Sequence, residues 1–185
     1  MKMEELAIKG AWLATSPIFE DERGLFREWF KSADINNAAE EAFEVMQANI
    51  SVSHKGVLRG IHYSLADEGQ SKWITCVAGS IWDVIVDIRP SSPTYKKWVG
   101  VNLNAFCGDS ILISAGLGHG FIALEDNTIV TYLLTSPYSP VEEHEIYPLD
   151  LELGISWPIE NPVLSRKDLQ AKTLSQMLSD GKLPK

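Results

Sequence analysis

Between residues 45 and 134 the chain is a succession of short apolar or alternating runs, and this stretch constrains the fold more than any other feature. The runs are VMQANISVS (45–53), GVLRGIHYS (56–64), KWITCVAG (72–79), SIWDVIVDIR (80–89), WVGVNLN (98–104), SILIS (110–114), HGFIALE (119–125) and NTIVTYLL (127–134). Turn signals separate them at His54-Lys55-Gly56, Ala78-Gly79-Ser80, Pro90-Ser91-Ser92-Pro93 and Glu125-Asp126-Asn127. Many short strands at close, regular spacing predict an antiparallel β-sandwich or barrel rather than βαβ units. Two helical segments flank the strands. One is Asp34–Phe43, rich in Ala and Glu; the other runs from about Lys167 to Leu178, with Leu169, Leu174 and Met177/Leu178 roughly on one face. No internal repeat, low-complexity tract or linker interrupts the pattern, so residues 1–185 read as one all-β domain with short flanking helices.

Composition narrows the function. Hydrophobic residues make up 45% and charged residues 22% of the 185, the balance of a globule and not of a disordered chain. The net charge of −9 argues against nucleic acid or an anionic membrane as partner, since either needs a positive field. An anionic small molecule remains compatible, provided a few local Arg, Lys or backbone N–H groups meet its charge. No apolar run approaches the ~18 to 20 residues of a membrane span, and MKMEELAIKGAW carries acidic residues where a signal peptide needs an apolar stretch. Cys76 and Cys107 have no CxxC spacing and read as two reduced thiols. The expectation is a cytoplasmic protein.

Chemistry shows where polar residues break the strand pattern. In 45–53, Met46, Ala48, Ile50 and Val52 share one face, while Gln47, Asn49, Ser51 and Ser53 share the other. The polar face reads either as solvent-facing or as the lining of a polar barrel interior; its amides and hydroxyls, without Lys or Glu, suit the second. In the next strand Arg59 and His62 fall on opposite faces under strict alternation, but a bulge at Gly60 would turn both to one side. A lone strand histidine is more often structural than catalytic, and Arg59 beside two glycines improves the case for His62. Lys72, Asp83, Asp87, His119 and Tyr132 also sit within apolar strands, where a charge is costly unless it pairs or does chemistry. Asp83 and Asp87 read as structural partners of Arg or backbone. Lys72 and Tyr132 read as functional, because a buried amine and phenol can stabilise or protonate an oxyanion. Ser165-Arg166-Lys167-Asp168 matches a capping box, so Asp168 has helix capping as its plainer role. A catalytic metal is not expected: the His-x-His of a metal-binding strand is missing, since Tyr63 and Ser64 follow His62, and the four histidines at 54, 62, 119 and 144 are scattered.

Taken in order, these residues resemble the dTDP-4-dehydrorhamnose 3,5-epimerase family, the RmlC type of cupin. The segments that carry the resemblance include Phe19 to Glu28, Gln47 to Ser51, Gly56 to Tyr63, Gln70-Ser71-Lys72, Asp83 to Arg89 with Ser92-Pro93-Thr94, and Gly118 to Phe121. Tyr132, Tyr138-Ser139-Pro140, Leu153 to Pro158 and Leu164 to Asp168 complete it over nearly the whole chain. The resemblance implies a cupin-type jelly roll that works as a metal-free homodimer without a cofactor. It implies epimerisation of dTDP-4-dehydro-6-deoxy-D-glucose at C3 and C5 to dTDP-4-dehydro-L-rhamnose. By the same resemblance His62 is the base, paired to Asp168; Tyr132 is the opposing acid; Lys72 lies beside the C4 oxygen, with His119 close to the sugar. Arg23, Glu28, Gln47, Asn49, Arg59, Glu143 and Lys167 would hold nucleotide and diphosphate, with Tyr138 nearby. Two positions depart from the family pattern: Ser64 stands where Gln is common, and Leu133-Leu134-Thr135 lacks a Lys often found there. Neither removes a proposed catalyst. Both leave open a mono-epimerase acting at C3 or C5 alone. A non-catalytic sugar-binding cupin and a metal-dependent cupin oxygenase are the readings from other classes.

Overall fold

Period-two alternation puts the apolar side chains of each run on a single face, and two sheets bury those faces against each other. The computed structural model describes residues 1–39 and 42–185. One sheet has six strands, β1 (Lys2–Glu5), β2 (Ala11–Thr15), β10 (Asp109–Ile113), β7 (Lys72–Ala78), β12 (Thr128–Leu134) and β5 (Gln47–Ser53), neighbouring in that order. The other has five, in the order β13 (Glu143–Glu145), β6 (Leu58–Ser64), β11 (Leu117–Ala123), β8 (Ser80–Asp87) and β9 (Trp98–Asn104). A small hairpin, β3 (Ile18–Asp21) with β4 (Gly24–Arg27), stands apart. The pairings within these sheets are antiparallel. The expected all-β sandwich is present, and its interleaved strand order is that of a jelly roll.

Between the sheets lies an apolar core of Ile74, Cys76, Ile111 and Val130 from the first sheet and Ile81, Ile85, Leu103 and Phe121 from the second. A fully buried aliphatic side chain of this kind contributes about 1.5–3 kcal/mol. Alternation sends Val84 and Val86 to the outer face of the five-stranded sheet, where Ile146, Leu153, Leu174 and Met177 cover them. On the outer face of the six-stranded sheet, Trp73, Leu112 and Leu133 pack under Ile35 and Phe43.

The helices depart from expectation. Helix α1 is Ser32–Ala39, so the predicted Asp34–Phe43 segment begins two residues earlier, and its residues 40–41 lie outside the described ones. The predicted 167–178 helix is two: α2 (Arg166–Leu169) and α3 (Leu174–Ser179). A second capping box causes the break. Thr173 Oγ1 accepts from Gln176 N–H while the Gln176 side chain accepts from Thr173 N–H, restarting the helix there. The chain between the two helices makes a β-bridge from Lys172 to Ile146. Strands β1 to β4 and β13 were not expected. They are short; β1, β3 and β13 carry mainly polar residues, and sheet pairing holds them where their own pattern is weak.

Asp87 behaves as expected. Fully buried, it accepts from Arg89 Nε and Nη2 at 2.9 Å each and from the Ser92 and Thr94 hydroxyls, closing the connection between β8 and β9. Burial alone would raise its carboxyl; these hydrogen bonds outweigh burial and hold it at about 2. A depressed carboxyl stabilises the fold above its unfolded value and loses that contribution as pH falls through the folded one. The expected contribution is about 2 kcal/mol at neutral pH. In urea unfolding, Asp87→Asn should therefore lose about 2 kcal/mol at pH 7 and show a flatter stability profile than the parent between pH 5 and 2.

Candidate active site

Strand β5 turns its polar face inward. Ile50 and Val52 are 66% and 58% exposed, whereas Ser53 is 4% exposed and Gln47, Asn49 and Ser51 are half-buried. Of the two readings of this strand, the polar barrel interior is the observed one. The inside of the sandwich is thus apolar at one end and polar at the other, and the polar end is hollow. A deep cavity of about 150 Å³ is lined by Ser51, Arg59, His62, Lys72, His119, Phe121 and Tyr132. It opens into an outer cavity of about 260 Å³ that adds Gln47, Asn49, Gln70, Leu134, Tyr138, Glu143, His144, Ser165, Lys167 and Asp168.

The bulge expected in β6 is present. On β11, His119 and Phe121 are two residues apart and share a face; their partners on β6 are His62 and Arg59, three residues apart. The extra residue brings Arg59 and His62 to the same side. Gly60 makes this feasible. Its φ is +137°, and a Cβ there would lie 2.5 Å from the Cα of Gly120, so no side chain fits.

Asp168 both belongs to a cap and faces the histidine. Ser165 is the N-cap of α2, and its hydroxyl accepts from Asp168 N–H at 3.1 Å. The same hydroxyl lies 2.8 Å from Asp168 Oδ2, to which it donates, and Asp168 Oδ1 lies 2.7 Å from His62 Nε2. The cap therefore fixes the carboxylate and the carboxylate fixes the imidazole. Asp168 is buried, and burial would raise its carboxyl; the His62 and Ser165 contacts, with the Lys167 charge, hold it below the ordinary value instead. His62 keeps an edge open to the cavity.

Around this pair stand the other expected residues. Lys72, the first residue of β7, is 8% exposed, and burial pulls its ammonium below the usual lysine value against the attraction of Glu143 and Asp83. Tyr132 faces Asn49 across the β12–β5 ladder. Burial raises its phenol, opposed by a hydrogen bond with Asn49 and the charge of Arg59. His119 Nε2 is 2.8 Å from Asp83 Oδ2, so Asp83 pairs with a histidine and not with the Arg or backbone expected for it. The Asp83 carboxylate is fully buried and needs a partner, which His119 on the neighbouring strand supplies. Arg59 Nε donates to Ser53 Oγ at 3.1 Å, Glu143 accepts from Gln70 Nε2 at 3.0 Å, and Lys167 pairs with Glu145 at 2.8 Å. Tyr138 sits exposed at the mouth.

Arg23 and Glu28 do not join this cluster. Arg23 lies in the β3–β4 turn, strongly exposed and paired to Asp21; Glu28, just past the hairpin, is also exposed, and neither lines the cavity. Sequence reasoning passed over three contributors: Gln70, which orients Glu143; Ser165, which orients Asp168; and Asp83 in its pairing with His119. The capping motif was a usable signal for Ser165. Nothing local marked the reach of Gln70 across 73 residues to Glu143. Among the described residues, no three His, Cys, Asp or Glu side chains converge as a metal site would need.

Comparison with known proteins gives these groups a context. The family model described as dTDP-4-dehydrorhamnose 3,5-epimerase matches residues 5–176. The dTDP-4-dehydrorhamnose 3,5-epimerase of Mycolicibacterium smegmatis is 45% identical over 185 residues, covering 100% of this chain and 91% of that protein. The crystal structure of the rmlC epimerase of Mycobacterium tuberculosis is 42% identical, with a TM-score of 0.97 over 100% of this chain and 94% of that one. ChmJ, a 3'-monoepimerase from Streptomyces bikiniensis in complex with dTDP-quinovose, is also 42% identical, with a TM-score of 0.95 over 98% and 92%. The full-length match in sequence and fold makes this chain a member of the dTDP-4-dehydrorhamnose 3,5-epimerase family.

Proposed function

We propose that the chain inverts C3 and C5 of dTDP-4-dehydro-6-deoxy-D-glucose, giving dTDP-4-dehydro-L-rhamnose. The observation that carries this reading is the His62–Asp168 pair at 2.7 Å, in a cavity shared with buried Lys72 and with Tyr132. C3 and C5 both flank the C4 ketone, so removing either proton gives an enolate. A neutral imidazole, with an unperturbed pKa of ~6.5, suits proton removal near neutral pH. Asp168 holds the ring in one orientation and stabilises the imidazolium that forms. Lys72 meets the charge developing on O4, an effect worth ~3 to 4 kcal/mol for a well-placed donor. Tyr132 returns a proton from the opposite face, which turns deprotonation into inversion. Arg59, Lys167 and the amides of β5 at the outer cavity give the diphosphate its local cations and donors in an otherwise acidic chain. This chemistry takes its electrophile from Lys72 and needs no metal.

We further propose a homodimer in the cytoplasm. Ile50 and Val52 on β5 and Phe19 and Phe26 on the β3–β4 hairpin leave large apolar side chains mostly exposed, as a subunit interface requires. Pairing of these faces would give Arg23 and Glu28, left out of their own cavity, a place at the cavity of the second copy. The two cysteines, both free, suit a reducing compartment.

Three experiments test these readings. Chelator-treated protein incubated with dTDP-4-dehydro-6-deoxyglucose in D₂O should place deuterium at both C3 and C5 by NMR. Label at C3 alone would make it a 3-epimerase like several relatives, and activity restored only by added metal would end the metal-free reading. Asp168→Asn leaves the backbone cap of α2 intact, so melting should shift by only a few degrees. Turnover should nonetheless fall at least about a hundredfold, and combining it with His62→Ala should be hardly worse than His62→Ala alone. For the dimer, Ile50→Asp should convert a two-copy species to one copy in sedimentation equilibrium and raise KM; a parent that sediments as one copy refutes it.

A further inference from the structure

Gln47 and Asn49 form a line of hydrogen bonds that begins at a backbone N–H and leads toward the proposed acid. Tyr138 N–H donates to Gln47 Oε1 at 2.7 Å, and Gln47 Nε2 donates to Asn49 Oδ1 at 2.9 Å. Asn49 is the direct partner of Tyr132 across the β5–β12 ladder, and the two side chains line the same cavity. The direction of this line is fixed by its first member. A backbone N–H can only donate, so the Gln47 oxygen must accept and its NH₂ must point onward. That NH₂ occupies the Asn49 oxygen, which leaves the Asn49 NH₂ facing Tyr132. An amide NH₂ cannot accept, so toward Asn49 the phenolic oxygen can only accept and the phenolic proton is not consumed there.

We propose that Asn49 is a positioning residue for Tyr132: its NH₂, oriented by Gln47 and the Tyr138 backbone, occupies one lone pair of the phenolic oxygen and turns the O–H into the cavity. The inference rests on the reading of Tyr132 as the acid and goes beyond the substrate contact that the family resemblance implies for Asn49. It has two consequences for the reaction. The proton is presented to the substrate before the substrate arrives, and the phenolate left after transfer keeps a donor already in place. It also ties the seating of the segment around Tyr138 to the state of the acid, through two amides and no other moving part.

The test reads the Tyr132 titration directly, by NMR of protein labelled at tyrosine Cζ, with the resonance assigned by Tyr132→Phe. The titratable and charged groups sharing the cavity with the phenol are Arg59 and His62 on β6, Lys72 on β7, His119 on β11, Glu143 and His144 on β13, and Lys167 and Asp168 on α2, and all stay in place. Asn49→Leu removes the donor and should raise the Tyr132 pKa by about one pH unit. Gln47→Leu does not touch Tyr132, yet frees the Asn49 amide to rotate and should raise it by a smaller amount; it also answers the question if Asn49→Leu fails to fold. In kinetics, the alkaline limb of kcat should move upward with the titration, because activity persists while the phenol keeps its proton. An unchanged Tyr132 titration in both variants overturns the proposal. So does a rise in KM with kcat and its pH limb unmoved, which would make Asn49 a substrate contact only. The titration needs no substrate, so it judges this inference even if the deuterium experiment refutes the epimerase.

Discussion

The site depends on a close approach between two backbones. Gly60 on β6 and Gly120 on β11 lie so near that a Cβ on the first would sit 2.5 Å from the Cα of the second. This contact accommodates the extra residue of the β6 bulge inside a sheet that is otherwise regularly paired. Without the bulge, Arg59 or His62 would point to the outer face, where Ile61 and Tyr63 pack beneath the C-terminal segment. The local geometry thus decides between two costs. A side chain at position 60 would force the strands apart, whereas straight pairing would bury a guanidinium or an imidazole among apolar groups. Two glycines remove both.

The rest of the cavity follows from a reversal of the ordinary rule for a half-buried strand. Strand β5 shows aliphatic residues to the outside and amides and hydroxyls to the inside, while β7 and β8 carry the apolar core. Polar groups drawn inward then need partners, and on β5 Ser51 Oγ has none in the described structure. Ser53 takes Arg59, Gln47 takes Asn49 and the backbone of Tyr138, and Asp83 takes His119. Asp83 Oδ1 is still without a partner in the described structure, beside a cavity that can admit polar ligand atoms. The same reversal leaves Ile50 and Val52 exposed, so the polar cavity and the candidate dimer face are two sides of one strand.

How far the sequence discloses this arrangement depends on whether a signal is local. Period-two alternation marked the strands from β5 to β12, and turn residues placed their ends, because both act within a few residues. The bulge was legible for the same reason: Arg59-Gly60-Ile61-His62 contains the glycine and both residues it redirects. The β1 strand was not legible, since Lys2–Glu5 has only Met3 to mark an apolar side and owes its conformation to pairing with Ala11–Thr15. The break between α2 and α3 was legible in principle, as Thr173-Leu174-Ser175-Gln176 is a second capping box that a single helical stripe overrode. Pairings such as Asp83 with His119 and Gln70 with Glu143 join distant stretches of chain, and no spacing rule announces them. Asp168 shows that a plain role and a chemical one need not compete. Its N–H belongs to the cap and its carboxylate to His62, so the motif that supported the capping reading is also what holds the carboxylate in place.

Burial acts with opposite sign on the two groups that flank His62. It raises the Tyr132 phenol and lowers the Lys72 ammonium, because in each case the neutral form is favoured in a dry cavity. The phenol therefore keeps its proton at neutral pH, as the proposed acid must before it acts. A proton held that tightly moves only to a strong base, and an enolate carbon is one, whereas water and bulk buffer are not. Glu143 and Asp83 oppose the effect of burial on the lysine, and charge on an incompletely solvated ammonium is felt more strongly by an oxyanion than charge in open water. The cost of keeping both groups buried is reduced, not cancelled, by their surroundings: Arg59 and Asn49 oppose burial at the phenol, and two carboxylates oppose it at the amine. A single buried, polar-lined cavity thus shifts the proposed acid and the proposed electrophile in opposite directions with no adjustment of their covalent chemistry.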